Sequence, residues 1–332
     1  MEIVVTGANG FIGRKLVRRL LERGALAAPD GVERPVERIL AVDSAAGDGP
    51  PIEDPRVETR IADLTAPGAA EGLVGPATSS VFHLAAIPSA GAEADFERGM
   101  AVNLDVTRRL LDACRALGTA PAFVFSSTVA VFGGDLPDVI RDDTAPTPQT
   151  SYGAQKAMSE LLISDLSRRG FIDGRALRLP TVVVRPGKPN TAASTFASSI
   201  IREPLQGERA VLPVRRERAM YVLSPRRVVD SLIHAHGLPG ERFGPHRTVT
   251  LPGLTVSVAD MLAGLERAGG REALDRVEET LDPHIDAIVA GWPGRFEPAR
   301  ARALGFEADP DYDAIVAMFM EEDRVVPAPA GA

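Results

Sequence analysis

Tyr152 and Lys156 stand four residues apart in SYGAQK (151–156). On a helix that spacing puts both side chains on one face, with roughly 6 Å between β-carbons. A phenol has a reference pKa of about 10, so it acts as a base near neutrality only where nearby positive charge favours the phenolate. A lysine one turn along is such a charge, but an ordinary surface pair has the same spacing. Spacing leaves both readings open; the rest of the chain has to supply a cofactor, a third polar group and a scaffold.

The third group is available in SST (126–128), which closes the apolar run AFVFSST and offers the hydroxyls of Ser127 and Thr128. The cofactor site is expected at TGANGFIG (6–13), which follows the apolar run EIVVT and opens a helical pattern. Gly7, Gly10 and Gly13 suit a tight turn, close backbone approach to a pyrophosphate and close helix–strand packing. The helix start adds amide donors and the positive end of a dipole. In this strand–loop–helix context a dinucleotide site is preferred over a plain glycine turn. Asp43 ends the next apolar run, RILAVD, where an acid accepts from a ribose 2′-hydroxyl and repels a 2′-phosphate, favouring NAD over NADP. Its distance exceeds the usual spacing of about 20 residues, which a hairpin-sized insertion in ALAAPDGVERPVE accounts for; a turn aspartate is the competing reading. Asp63, at the end of VETRIAD, and Leu64, the residue after it, are placed near the adenine.

The elements that must hold these residues alternate. EIVVT (2–6), RILAVD (38–43), VETRIAD (57–63), SSVFHLAA (79–86), AFVFSST (122–128) and RALRLP (175–180) read as strands. Helical patterns lie between them: the stretch opening at Phe11, a patch at 66–74, residues 95–118 and residues 151–170. Apolar strands alternating with helices predict an α/β fold, a Rossmann-type doubly wound parallel sheet covered on both faces. Residues 1–180 are assigned to this NAD-binding domain, with 220–240 returning to it. Residues 181–332 are assigned to a smaller mixed α/β substrate lobe, where Pro and Gly punctuate helical patterns at 194–206, 225–235, MLAGLERAGG, REALDRVEETL and PDYDAIVAMFMEE. The tail DRVVPAPAGA is expected to fray.

Composition narrows the function classes. The 332 residues are 45% hydrophobic and 25% charged, ordinary globular usage, and the net charge of −8 argues against a nucleic-acid surface. With Cys114 as its single cysteine, the chain has no internal disulfide framework and no thiol-based zinc site, and no metal is expected. No leader and no run of about 18 apolar residues stand out, so a cytoplasmic protein without membrane partners is expected.

The order TGxxGxxG, HLAA (83–86), SST and YxxxK resembles the extended short-chain dehydrogenase/reductases, strongly over residues 1–240. The resemblance implies that Tyr152 takes a proton from an alcohol while hydride leaves for NAD, with Lys156 holding the ribose hydroxyls and favouring the phenolate. Thr128 takes the place of the family's catalytic serine or threonine, with Ser127 as the alternative. Asn103 matches an asparagine that contacts the cofactor or braces the site. Phe11 and Ile12 would flank the pyrophosphate, Leu84, Ala85 and Ala86 would pass beside the cofactor, and Pro180 would lie near the nicotinamide. His83 and Cys114 read as packing residues. Within the family, IPSAGAEADFERGMAVN, STVAVFGG and LRLPTVVVRPGKPN are most similar to the D-erythronate dehydrogenases. That implies a small sugar acid oxidised to its 2-keto acid, with Arg185, Lys188 or Arg218 on the carboxylate, though a solvated face is the ordinary role of each. Ser89, Thr181, Asn190 and Thr191 are candidates for substrate hydroxyls. A nucleotide-sugar epimerase or dehydratase with tightly held NAD, or a non-catalytic NAD-binding regulator, are the alternatives. Relatives pair through helices at about 93–118 and 151–169, so a homodimer is expected.

Overall fold

The computed structural model describes residues 1–47, 49–187, 192–323 and 325. Lys188, Asn190, Thr191 and nearly all of the tail at 323–332 therefore lie outside the described residues. The chain divides into two compact units: residues 1–131, 148–178 and 229–250 form the first, and residues 132–147, 179–228 and 251–332 the second.

The first unit is built on β1 (Glu2–Thr6), β2 (Arg38–Asp43), β3 (Val57–Ile61), β4 (Thr78–His83), β5 (Ala122–Thr128), β6 (Asp173–Leu179) and β7 (Thr248–Thr250). Among the described residues these form one parallel sheet in the order β7-β6-β5-β4-β1-β2-β3. The reversal of order beside β1 marks the point where doubly wound sheets bind ligands at their carboxyl ends. Ile3, Val4, Val5, Phe123, Val124 and Phe125 are fully buried on consecutive positions, so β1 and β5 are covered on both faces. The covering helices include α1 (Phe11–Arg23), α2 (Val106–Leu117), α3 (Ser151–Arg168) and α4 (Pro225–Gly237). The insertion before β2 is a hairpin, Ala25–Ala27 antiparallel to Glu33–Pro35.

Local chemistry explains where the elements depart from the sequence reading. The helix expected at 66–74 is a single 3-10 turn, Glu71–Leu73, because Pro67, Gly68 and Gly72 interrupt the run and Gly68 takes φ +75°. The stretch 95–118 breaks into Phe96–Gly99, a π-helical Met100–Asp105 and α2. β7 went unread, since TVT is too short to show alternation.

In the second unit, Ala219–Leu223 pairs in parallel with Thr181–Val182 and antiparallel with Leu254–Ser257. The helix Phe196–Leu205 is buried at every position, packing Phe196, Ile200 and Ile201 into a core with Met261, Leu265, Ile315 and Phe319. REALDRVEETL stays helical only to Asp275; Val277–Glu279 then pairs in parallel with Ala210–Leu212. Among the described residues no helix is long and apolar enough to cross a membrane.

Candidate active site

The glycine loop is shaped by contacts that a side chain would destroy. Gly7 has φ +70°, and a β-carbon there would sit 2.7 Å from the Ala85 amide nitrogen and 2.9 Å from the Leu84 carbonyl carbon. At Gly13 a β-carbon would stand 2.1 Å from the Gly7 oxygen, so α1 packs on the loop only as glycine. Gly10 caps α1 with no side chain, and Phe11, Ile12 and Gly13 begin it with no acid in the first turn. The positive end of the dipole is therefore left for an anion. Past β4, the Leu84 amide donates to the Thr6 carbonyl at 3.1 Å and the Ala85 amide reaches the Thr6 hydroxyl at 3.3 Å, which holds the strip Leu84–Ala86 beside Gly7. Asp43 ends β2 and accepts from the amides of Asn9 at 2.9 Å and Ser44 at 2.7 Å. This ties the acid to the glycine loop. The carboxylate of Asp63 accepts from the Thr65 hydroxyl at 2.7 Å and amide at 2.9 Å. Those bonds, the hydroxyl first, hold its pKa below the ordinary carboxylate value. Leu64 beside it is buried. A glycine cradle, an uncapped helix start and an acid at the second strand end fit a dinucleotide.

Tyr152 and Lys156 sit in the first turns of α3. Thr150 starts the helix, its hydroxyl accepting from the Gly153 amide at 3.1 Å. Gly153 lets the helix lie directly on the segment after Thr128: a β-carbon there would be 2.3 Å from the Ala130 carbonyl oxygen. The Lys156 ammonium is buried, donating to the Ser126 carbonyl at 2.9 Å. It lies 4.4 Å from the Phe125 ring centre and 5.7 Å from that of Tyr152. Burial pulls its pKa down to about 7, against the opposing pull of the Glu160 carboxylate. Thr128 is half-buried, and its hydroxyl accepts from the Ala130 amide at 3.1 Å. A hydroxyl whose lone pair is engaged still has its proton to donate outward.

Ser127 is used differently: it is buried, and its hydroxyl donates to Glu160 Oε1. His83 is fully buried, with Nδ1 2.6 Å from the Thr6 hydroxyl, Nε2 2.9 Å from that of Thr107, and the Phe125 ring 5.7 Å away. Burial, reinforced by Lys156, drives its pKa down to about 3, so it is a neutral packing residue. Asn103 lies in the π-helical turn. It accepts from the Ile87 amide at 2.8 Å and donates to the Ile87 carbonyl at 3.1 Å and to Gln155 Oε1 at 2.8 Å. That is the geometry of a brace between the strand-end loop and α3, and π turns of this kind recur at functional sites. Ser89 opens the short helix Ser89–Ala94 just beyond Ile87 and is half-buried. Cys114 is buried on α2 in the core, its thiol pushed up to about 12 by burial.

Sequence reading missed Glu160, Gln155 and Arg178. Arg178 clamps Glu160 through Nε at 3.0 Å and Nη2 at 2.7 Å. The signal for Glu160 was its place four residues after Lys156; nothing local points to Arg178. Pro180, Thr181, Arg185 and Arg218 belong to the second unit. There Arg218 forms a two-pronged ion pair with Asp286, Nε to Oδ1 at 2.8 Å and Nη2 to Oδ2 at 2.5 Å, which occupies the fork a carboxylate would need. The Arg185 amide donates to Ser198 at 3.0 Å and its Nε to the Val182 carbonyl at 3.2 Å.

Comparison with known proteins agrees with this geometry. D-erythronate dehydrogenase of Cupriavidus necator is 48% identical over 97% of this chain and 98% of its own length. The enzyme of the same name from Haemophilus influenzae is 43% identical over 97% and 100%. A crystal structure described as a nucleoside-diphosphate-sugar epimerase from Agrobacterium tumefaciens superposes with a TM-score of 0.92 at 44% identity, covering 98% of this chain and 94% of that one. The family model described as "NAD dependent epimerase/dehydratase family" matches residues 3–223. With a cradle fitted to a dinucleotide and full-length relatives of this kind, the chain belongs to the NAD dependent epimerase/dehydratase family, and its cofactor is NAD.

Proposed function

We propose that this protein oxidises a secondary alcohol of a small sugar acid, D-erythronate or a near analogue, to the 2-keto acid. The observation that carries the reading is the buried Lys156 ammonium on the same helix face as Tyr152, in a chain 48% identical to a D-erythronate dehydrogenase. Bound NAD supplies the hydride acceptor. Tyr152 takes the hydroxyl proton, and the Lys156 charge lowers the cost of the phenolate. Thr128 donates to the substrate oxygen, a reading supported by the Ala130 amide bond to its hydroxyl oxygen, which leaves the hydroxyl proton for another acceptor. Gly7, Gly10, Phe11, Ile12 and Gly13 hold the pyrophosphate, Asp43 and Lys156 the ribose hydroxyls, and Asp63 and Leu64 flank the adenine. For the carboxylate, Arg185 and Lys188 are proposed ahead of Arg218, which is already paired with Asp286.

Purified protein incubated with NAD and a panel of four-carbon sugar acids is expected to accumulate NADH with D-erythronate. The Agrobacterium neighbour's name favours a second reading, a nucleotide-sugar epimerase. Silence across the panel together with epimerisation of a UDP-sugar would establish that reading instead.

The protein is also proposed to act as a homodimer. Met158 and Leu161 on α3 and nearby Phe96 are large apolar side chains left in water, Leu161 at 72% exposure, as a self-association surface requires. Leu161→Glu is expected to sediment as a monomer; a wild-type monomer at micromolar concentration would refute the assembly.

A further inference from the structure

Three consecutive residues at the end of β5 face three different duties. The Ser126 carbonyl accepts from Lys156, the Ser127 hydroxyl donates to Glu160, and the Thr128 hydroxyl accepts from Ala130. Glu160 lies one turn beyond Lys156 on α3, and Arg178 of β6 grips both of its oxygens, Nε at 3.0 Å from Oε1 and Nη2 at 2.7 Å from Oε2. β5, α3 and β6 thus converge on one carboxylate that is 4% exposed. An ion pair buried this deeply carries a desolvation cost that a packed apolar pair would avoid, so stability alone is a weak account of it.

We propose that Glu160 is a positioning residue: gripped by Arg178, its carboxylate locks the Ser126–Thr128 strand end to the Tyr152–Lys156 helix. The assignment of Lys156 as activator rests on the function proposed above; the contacts do not.

The surroundings of Lys156 show why one anion matters. On its own helix stand Tyr152 and Glu160; β5 presents the Phe125 ring and the Ser126 carbonyl; β4 presents His83; and β6 presents Arg178 behind Glu160. Burial drives the ammonium towards neutrality, and Glu160 is the group that opposes it. His83 is driven neutral, so it adds no charge of its own beside Lys156.

The lysines of the chain are Lys15, Lys156 and Lys188, so Cε-labelled lysine gives a simple NMR spectrum in which Lys156→Arg assigns the buried one. In NAD-free protein, Glu160→Gln is expected to lower the Lys156 titration midpoint by about one pH unit, a tenfold loss of proton affinity. Glu160→Gln removes the negative charge that Arg178 grips, so Glu160→Gln/Arg178→Gln serves as the charge-balanced control and is expected to shift the midpoint in the same direction. Ser127→Ala tests the mechanical link: kcat is expected to fall about tenfold with the KM for NAD unchanged, and Ser127→Thr to restore it. A midpoint within about 0.2 unit of wild type in both Glu160 variants, or full kcat in Ser127→Ala, overturns the proposal. The titration needs no substrate, so a moved midpoint with a silent sugar-acid panel rejects the proposed function and leaves the role of Glu160 standing.

Discussion

Gly153→Ala sets two well-defined forces against each other. Gly153 is in the first turn of α3 next to Tyr152, and alanine is the better helix former by about 1 kcal/mol. Local propensity therefore favours the substitution. Packing opposes it: the new β-carbon would lie 2.3 Å from the Ala130 oxygen, 3.0 Å from Pro148 Cβ and 3.1 Å from the Thr150 hydroxyl, where ordinary contact begins at 3.4 Å. The shortfall against Ala130 is 3.4 − 2.3 = 1.1 Å, and a backbone carbonyl cannot swing aside as a side chain does. Overpacking of this kind costs about 1–3 kcal/mol, so the net loss of stability is modest, about 0–2 kcal/mol once propensity is set against it. For a chain of this size each kcal/mol lowers Tm by about 1–2 °C. The larger effect falls on catalysis. The start of α3 and the segment after Thr128 must separate by roughly the same ångström, and a misplacement of about 1 Å costs about a hundredfold in rate. The assay pairs thermal melting by circular dichroism with initial rates of NADH formation from D-erythronate. The expected outcome is a Tm reduced by at most a few degrees and kcat reduced by about two orders of magnitude. A variant with kcat within threefold of wild type would show that the close approach of α3 to this segment does not set the reacting geometry.

Tyr152→Phe removes only the phenol oxygen; turnover is expected to fall by about a thousandfold with NAD affinity retained, and persistent turnover would take the base role away from Tyr152. Acid should destabilise the fold through His83 and His236, whose folded pKa values are lowered by burial to about 3 and about 4 from 6.5. The sign follows from linkage: below pH 6.5 the unfolded chain takes up two protons that the folded one refuses, so the stabilisation present above that pH is lost as pH falls through the window. Urea unfolding at pH 7 and pH 5 should differ by about 3–4 kcal/mol from these two groups; equal values would contradict their burial as neutral rings. Arg218→Gln should leave the KM for the sugar acid within about threefold while lowering Tm, since Arg218 is committed to Asp286. A KM raised a hundredfold would show that it holds the substrate instead.

Much of the fold is written in local pattern. The strands β1, β2 and β5 are runs of apolar and β-branched residues between punctuation, and the hairpin before β2 was legible from its length and its turn residues. Elements whose identity depends on partners were not. β7 exists because TVT finds Ala176, Leu177 and Arg178 of β6 beside it. Val277–Glu279 leaves the helical pattern because Ala210–Leu212 is there to pair with. The π-helical turn at Met100–Asp105 carries no residue that announces it. Its Asn103 carbonyl is satisfied by the hydroxyls of Thr107 at 2.9 Å and Ser159 at 3.4 Å, the second of them 56 positions away.

The candidate site divides along the same line. From the order of residues alone followed the glycine loop, the acid at Asp43, the pairing of Tyr152 with Lys156 one helical turn apart, and the hydroxyls of SST. These are local geometries, set by a turn that needs glycine, a helical repeat or the end of a strand. Tertiary structure decided how those groups are used. It turned Ser127 inward to Glu160 and left Thr128 with a proton to donate. It also buried Lys156 against the Ser126 carbonyl, and spent Arg218 on Asp286. Burial and long-range pairing cause each of these outcomes, and both depend on neighbours that lie up to 68 positions apart in the chain.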